Sequence, residues 1–229
     1  MIKNIEQKIS GAVLTAFDEY HRMTDGHGGW INSTPEYWYT VAIARRLYNS
    51  GATKKTNYVT LENPVSEILD WAKECLNPSD LIYEKLRPTG QVDILLWNQK
   101  GKKFWKPRAI VEVKVHCGGE TVSKLDVDRI LSGLVMMGKK VQSGTLKAGY
   151  FVLLSDAKRT SQSKKDVKEE LTRRFNEVVK NIKKQSDNFS ESAGLNFATK
   201  FEVSPHVKFG DFHRDSQAAV LVVKIKISD

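Results

Sequence analysis

With 229 residues, 40% of them hydrophobic, the chain is long enough to bury a sizeable core and is read as one domain spanning 1–229. Its formal charge of +9 and pI near 9.4 favour a polyanionic partner, nucleic acid first, by steering and counterion release, although a basic surface serves solubility equally well. Cys75 and Cys117 lack CxxC or Cys/His spacing, which excludes a disulfide framework or structural zinc site, and the longest apolar run, Ala218 to Val223, is far short of the roughly 20 residues of a membrane span. A soluble, cytoplasmic protein with no membrane partner is expected.

Ile5, Ile9, Val13, Leu14 and Phe17 recur at helical spacing among charges and predict an amphipathic first helix. Asp25 to Gly29 reads as a loop. Ser33, Pro35 and Glu36 then form a capping-box start for a helix to about Asn49, with Tyr37, Val41, Ala44 and Tyr48 as its apolar stripe. A short extended piece, Tyr58 to Glu62, leads into a helix from Val65 to about Leu76, stopped by Asn77-Pro78. Three strands are expected next, at Leu81–Leu86, Val92–Trp97 and Ala109–Val115, the last two joined by a basic hairpin around Gly101.

Ser123 to Met137 carries Val127, Ile130, Leu131, Leu134 and Val135 at helical spacing, and Tyr150 to Leu154 reads as a buried strand. A long helix over 161–184 has Val167, Leu171, Phe175, Val178 and Ile182 on one stripe and a basic opposite face. Strands over 201–209 and 220–227 close the chain. The sum is an α/β chain of the α+β kind, a mixed sheet with helices on its faces.

The chemistry lies in the strands at 92–97 and 109–115. Side chains alternate along a strand, so Ile110, Glu112, Lys114 and His116 share one face and Val111, Val113 and Val115 the other. In a central strand an uncompensated charge costs several kcal/mol, so Glu112 and Lys114 need a partner or a metal. The hairpin lets Asp93 face Glu112. Two converging carboxylates repel unless a divalent cation lies between them, and oxygen-only ligation favours Mg²⁺ or Mn²⁺.

Pro88-Thr89-Gly90-Gln91-Val92-Asp93 followed by Ile110-Val111-Glu112-Val113-Lys114 resembles the PD-(D/E)XK nuclease superfamily, which is restriction-endonuclease-like, with an αβββαβ core. The resemblance covers about residues 35–155, leaving 1–34 as an N-terminal extension and 156–229 as a C-terminal helix and hairpin. It implies that Asp93, Glu112 and the backbone carbonyl of Val113 ligate the metal, and that Lys114 orients or helps deprotonate the attacking water. The reaction implied is in-line hydrolysis of a phosphodiester. The family often adds an acid from its first helix. Glu36 is preferred here over Glu62, Glu67 and Glu84, though an N3 glutamate also serves a helix cap without any chemistry.

Gln91, two residues before Asp93 on the same face, is a candidate for the scissile phosphate, and Lys124 and Arg129 for the DNA backbone, against a surface Asp128–Arg129 pair. Lys164, Lys165, Lys168, Arg173, Lys180, Lys183 and Lys184 either line a backbone-binding face or are a solvated helix face. The five histidines lack zinc-hydrolase spacing, and no phosphate-loop, nucleophile-elbow or dinucleotide motif occurs. The expectation is an Mg²⁺-dependent endodeoxyribonuclease of a restriction, defence or phage DNA-processing kind, cutting both strands only as a homodimer. A structure-directed repair or recombination nuclease and a non-catalytic nucleic-acid-binding module are the alternatives.

Overall fold

The structure, a computed structural model, describes residues 4–23, 36–51, 57–68, 70, 90–100, 104–116, 124–137, 146–158, 167–193, 196–204, 207–208 and 216–228. In chain order these form α1 (Ile5–Met23), α2 (Glu36–Gly51), β1 (Asn57–Pro64), β2 (Gln91–Lys100), β3 (Phe104–His116), α3 (Lys124–Met137), β4 (Ala148–Lys158), α4 (Val167–Ala193), β5 (Phe197–Val203), β6 (Val207–Lys208) and β7 (Ser216–Ile227). The strands make one mixed sheet in the order β1-β2-β3-β4-β7-β5, with β6 also on β7. Only β3 and β4 run parallel among these pairings. Such a pair requires a crossover, and α3 supplies it.

Strand alternation sorts the core into two layers. Val111, Val113, Val152, Val220 and Val222 face α1 and α2, burying Ile9, Val13, Ile43 and Leu47. Ile110, Phe151, Leu153, Leu221 and Val223 face α3 and α4, burying Ile130, Leu134, Leu171 and Phe175. Each such aliphatic or aromatic side chain contributes about 1.5–3 kcal/mol when taken out of water. All five apolar positions predicted for α3 are buried. Two polar ties fix α1 to the rest: Trp38 Nε1 donates to the Ala16 carbonyl at 3.0 Å, and Lys224 Nζ lies 2.8 Å from Glu6 Oε1. Among the described residues no helix is long and apolar enough to cross a membrane.

Several expectations need correction. The stripe predicted to pack on α2 is largely outside: Tyr37 and Tyr48 are 54% and 53% exposed, while Tyr39, Ile43 and Leu47 are fully buried. Both stripes have helical spacing, and the one carrying the branched aliphatics takes the core. The strand beside β2 is β1 at Asn57–Pro64, which the sequence showed as a short extended piece. It is held by Trp97 Nε1, which donates to Thr60 Oγ1 at 2.8 Å. The strand predicted at 81–86 lies outside the described residues, as does the helix predicted beyond residue 70. The long helix ends later than its predicted 184, its predicted start at 161–166 lies outside the described residues, and the hairpin strands β2 and β3 reach closer to Gly101.

Two glycines allow the close approach of α3 to the sheet. A Cβ on Gly149 of β4 would lie 2.1 Å from Ile130 Cγ2, and one on Gly133 of α3 would lie 2.3 Å from Ile110 Cδ1. The first conflict is the harder to relieve, because Ile130 is β-branched and stiff on its helix. Gly149→Ala is therefore expected to destabilise the protein by about 1–3 kcal/mol by overpacking. Urea unfolding checks this, and Ile130→Ala in the same chain should recover part of the loss.

Candidate active site

The end of the sheet where β2 begins and β3 finishes gathers six charged side chains. The register pairs Ile94 with Val111, so Asp93 falls beside Glu112. Asp93 Oδ2 accepts the Val113 backbone N–H at 2.7 Å, which fixes the carboxylate against β3. On the β1 side the register passes from Leu61–Ile94 to Asn63–Val92, and Glu62 between them takes φ of 53°. A non-glycine residue in that region is strained, and such strain tends to collect beside functional sites. Gly90, at φ 117°, turns the chain into β2, and its carbonyl accepts the Val65 N–H at 3.0 Å.

Glu112 is completely buried. Arg129 of α3 answers it with a two-pronged bond, Nε to Oε1 at 3.0 Å and Nη2 to Oε2 at 2.9 Å. The same Nη2 also bonds Asp126, one turn earlier on α3. Lys114 Nζ lies 2.8 Å from Glu36 Oε1 and 3.5 Å from Asp126 Oδ2. Asp126 Oδ2 is buried and accepts no hydrogen bond.

Burial raises the Asp93 carboxyl from 3.8 to about 6, although the Val113 amide and Lys114 pull the other way. Burial pushes Glu112 well above its ordinary value too, with repulsion from Asp93 and Asp126 opposing the help of Arg129. For Lys114, burial disfavours the ammonium, but the bond to Glu36 and the fields of Asp126 and Asp93 outweigh it and raise its pKa. Lys114 is thus held as a cation. It can orient a water or a phosphate oxygen, but it is not a proton acceptor in this arrangement, which narrows the role expected of it.

Of the predicted residues, Asp93, Glu112, Lys114 and Glu36 come together. Glu36 reaches Lys114 from the first residue of α2. Arg129 is also brought in, but bound to acids and not presented to a nucleic-acid backbone through Nε and Nη2. The anticipated Asp128–Arg129 pair is replaced by Asp126–Arg129, while Asp128 accepts from Gln185 Nε2 at 2.7 Å. Gln91 is exposed at the start of β2, with no hydrogen bond to the cluster among the described residues. The side chain of Lys124 lies outside the described residues, and so does Glu84. Glu62 and Glu67 are exposed. Asp126 joins the cluster unpredicted: its i,i+3 spacing to Arg129 signals a pair on one helix face, but not a place beside Lys114.

Four carboxylates here face two cations, so two negative charges remain when all are ionised. That balance, the raised acid pKa values and the unbonded Asp126 oxygen fit a divalent cation. Among the described residues no three His, Cys, Asp or Glu side chains converge closely enough to hold an ion unaided. The fit is to a hard cation taking one or two carboxylates and completing its shell with main-chain oxygen and water, as Mg²⁺ does. No protein-family model matches the chain, and comparison with curated proteins and with solved structures finds no match either.

Two outcomes are expected of the metal-free protein. The folded state holds the Asp93 proton more tightly than the unfolded chain does, so stability falls as pH rises from 3.8 to about 6. Asp93→Asn should abolish that fall and gain about 2–3 kcal/mol above pH 6, read from urea unfolding across pH. Arg129→Met, which strands Glu112 unpaired, should cost about 3–5 kcal/mol, and adding Glu112→Gln should recover much of it.

Proposed function

We propose that the chain is a metal-dependent nuclease of the PD-(D/E)XK, restriction-endonuclease-like kind, hydrolysing DNA phosphodiester bonds with Mg²⁺ or Mn²⁺. The observation that carries the reading is the convergence of Asp93, Glu112 and Lys114 at one end of the sheet, with net negative charge and depressed acidity. The reading is supported by the order of the described elements from α2 to β4, a helix, three strands paired antiparallel, a crossover helix and a strand parallel to the third, which is compatible with the αβββαβ core that the resemblance implies.

In this reading Asp93 and Glu112 hold the cation, with the Val113 carbonyl as a further donor. The cation supplies positive charge for the phosphate oxygens on which charge develops. Lys114, kept charged by Glu36 and Asp126, orients the attacking water and the scissile phosphate. Arg129 fixes the Glu112 carboxylate in the orientation it presents. Glu36 acts through Lys114 as a positioning residue. One such centre cuts one strand, so double-strand cleavage calls for two copies related by a two-fold axis.

One observation favours a second reading, a nucleic-acid-binding module of the same fold that does not cut. Arg129 already bonds both oxygens of Glu112 and neutralises it without a metal. Cleavage of supercoiled plasmid separates the two. The nuclease reading expects nicking or linearisation with Mg²⁺, none with EDTA, and a loss of about 100-fold or more in folded Asp93→Asn and Lys114→Met. Salt-sensitive DNA binding with no cutting under any divalent cation would assign the chain to the binding module instead.

A further inference from the structure

A second charged site lies at the opposite end of β3. Arg108 is four residues before Glu112, roughly 13 Å back along the strand at about 3.3 Å per residue. Trp97 pairs with Pro107 and Leu96 with Ala109, so Arg108 is the extra residue of a bulge. Bulges re-aim side chains. Regular alternation would send Arg108 toward α3 with Ile110. Instead it lines a cavity of about 260 Å³ under the start of α1, with Tyr150, Lys224, Lys226, Lys147 and Glu6. The bulge is anchored by the Arg108 carbonyl, which accepts the Lys147 N–H at 2.9 Å.

Two features of this cavity ask for an anion. Arg108 is only 8% exposed and Tyr150 only 3%. Among the described residues neither the Arg108 guanidinium nor the Tyr150 hydroxyl has a hydrogen-bond partner, and neither is sealed from solvent, so two strong donors on largely buried side chains meet the open cavity. Donors held at a cavity wall in this way are open to an anion that enters it. The charge points the same way. Arg108 and Lys224 line the cavity with Glu6, the carboxylate that Lys224 engages at 2.8 Å, and Lys147 and Lys226, which have contacts of their own, add to the positive field. Asn4 and Ile5 bring the first turn of the 19-residue α1 to the same wall, where the Glu6 N–H is engaged by the Glu6 carboxylate and the Ile5 N–H lacks a helical partner.

We propose that this cavity binds the phosphate group of a small phosphate ester the size of a nucleotide. An arginine fork, a phenol, an ammonium and a helix N-terminus approach from different elements, which suits a tetrahedral oxyanion better than a planar carboxylate. The volume leaves room for a substituent beyond the phosphate. The phosphate is that of a free nucleotide or of a nucleic-acid end. The site shares no residue with the acid cluster and stands independently of the nuclease reading.

The test is calorimetric titration of the full chain at constant ionic strength with a nucleoside 5′-monophosphate, its nucleoside, and an oligonucleotide with and without a 5′-phosphate. The expected result is saturable one-to-one binding of the monophosphate and none of the nucleoside. Arg108→Gln should weaken it by about tenfold or more and Tyr150→Phe by a few-fold, the sizes expected for a charge-assisted and a neutral hydrogen bond. If the phosphorylated oligonucleotide binds tighter than the monophosphate, and only when phosphorylated, the source is a strand end; otherwise it is the free ester. Absence of saturable phosphate binding overturns the proposal, as does binding unchanged in the variants. Should Arg108→Gln fail to fold, Tyr150→Phe and Lys224→Gln carry the same comparison.

Discussion

The buried Glu112 carboxylate is the constraint around which the functional end of the molecule is built. A lone ionised carboxylate in a central strand is far too costly to tolerate, so the fold must bring it a counter-charge. Arg129 meets that need with two bonds from a helix that can come near only because Gly149 and Gly133 carry no side chain. The geometry of α3 against β3 and β4, a matter of packing, therefore sets the electrostatics of the site.

The second consequence is that the cluster is over-supplied with acid. Arg129 is shared between Glu112 and Asp126, and Lys114 between Glu36 and Asp126, so no carboxylate there has a cation to itself. Asp93 has an amide and no direct ion pair, and these do not offset the burial that weakens its acidity. An arrangement that leaves acids under-neutralised is less stable than a fully paired one. It is also one that a divalent cation would relieve, and strain of this kind is what a functional centre commonly retains. The opposite end of the sheet inverts the sign, with cations in excess around Arg108.

How far the sequence discloses this differs from residue to residue. Asp93, Glu112 and Lys114 were legible because strand alternation and a hairpin are local rules, and charges at inward positions violate the apolar pattern. The buried stripes of α3 and α4 were legible for the same reason. Asp126 was not, because its place beside Lys114 depends on how closely α3 docks, which two glycines decide from different elements. The face of α2 was misjudged because Tyr37, Val41 and Tyr48 offer an apolar stripe as regular as the one that is buried. Arg108 was passed over because a bulge shifts a side chain from one face to the other, and only the register across β2 and β3 reveals it.

The central proposal is that the acid cluster holds a divalent cation, and the most direct measurement is Mn²⁺ binding followed by electron paramagnetic resonance. One saturable Mn²⁺ site is predicted, which Mg²⁺ displaces, which weakens as pH falls through about 6 where Asp93 gains its proton, and which is at least about tenfold weaker in Asp93→Asn. Mn²⁺ that fails to bind, or binds equally well with Asp93 replaced, would contradict it.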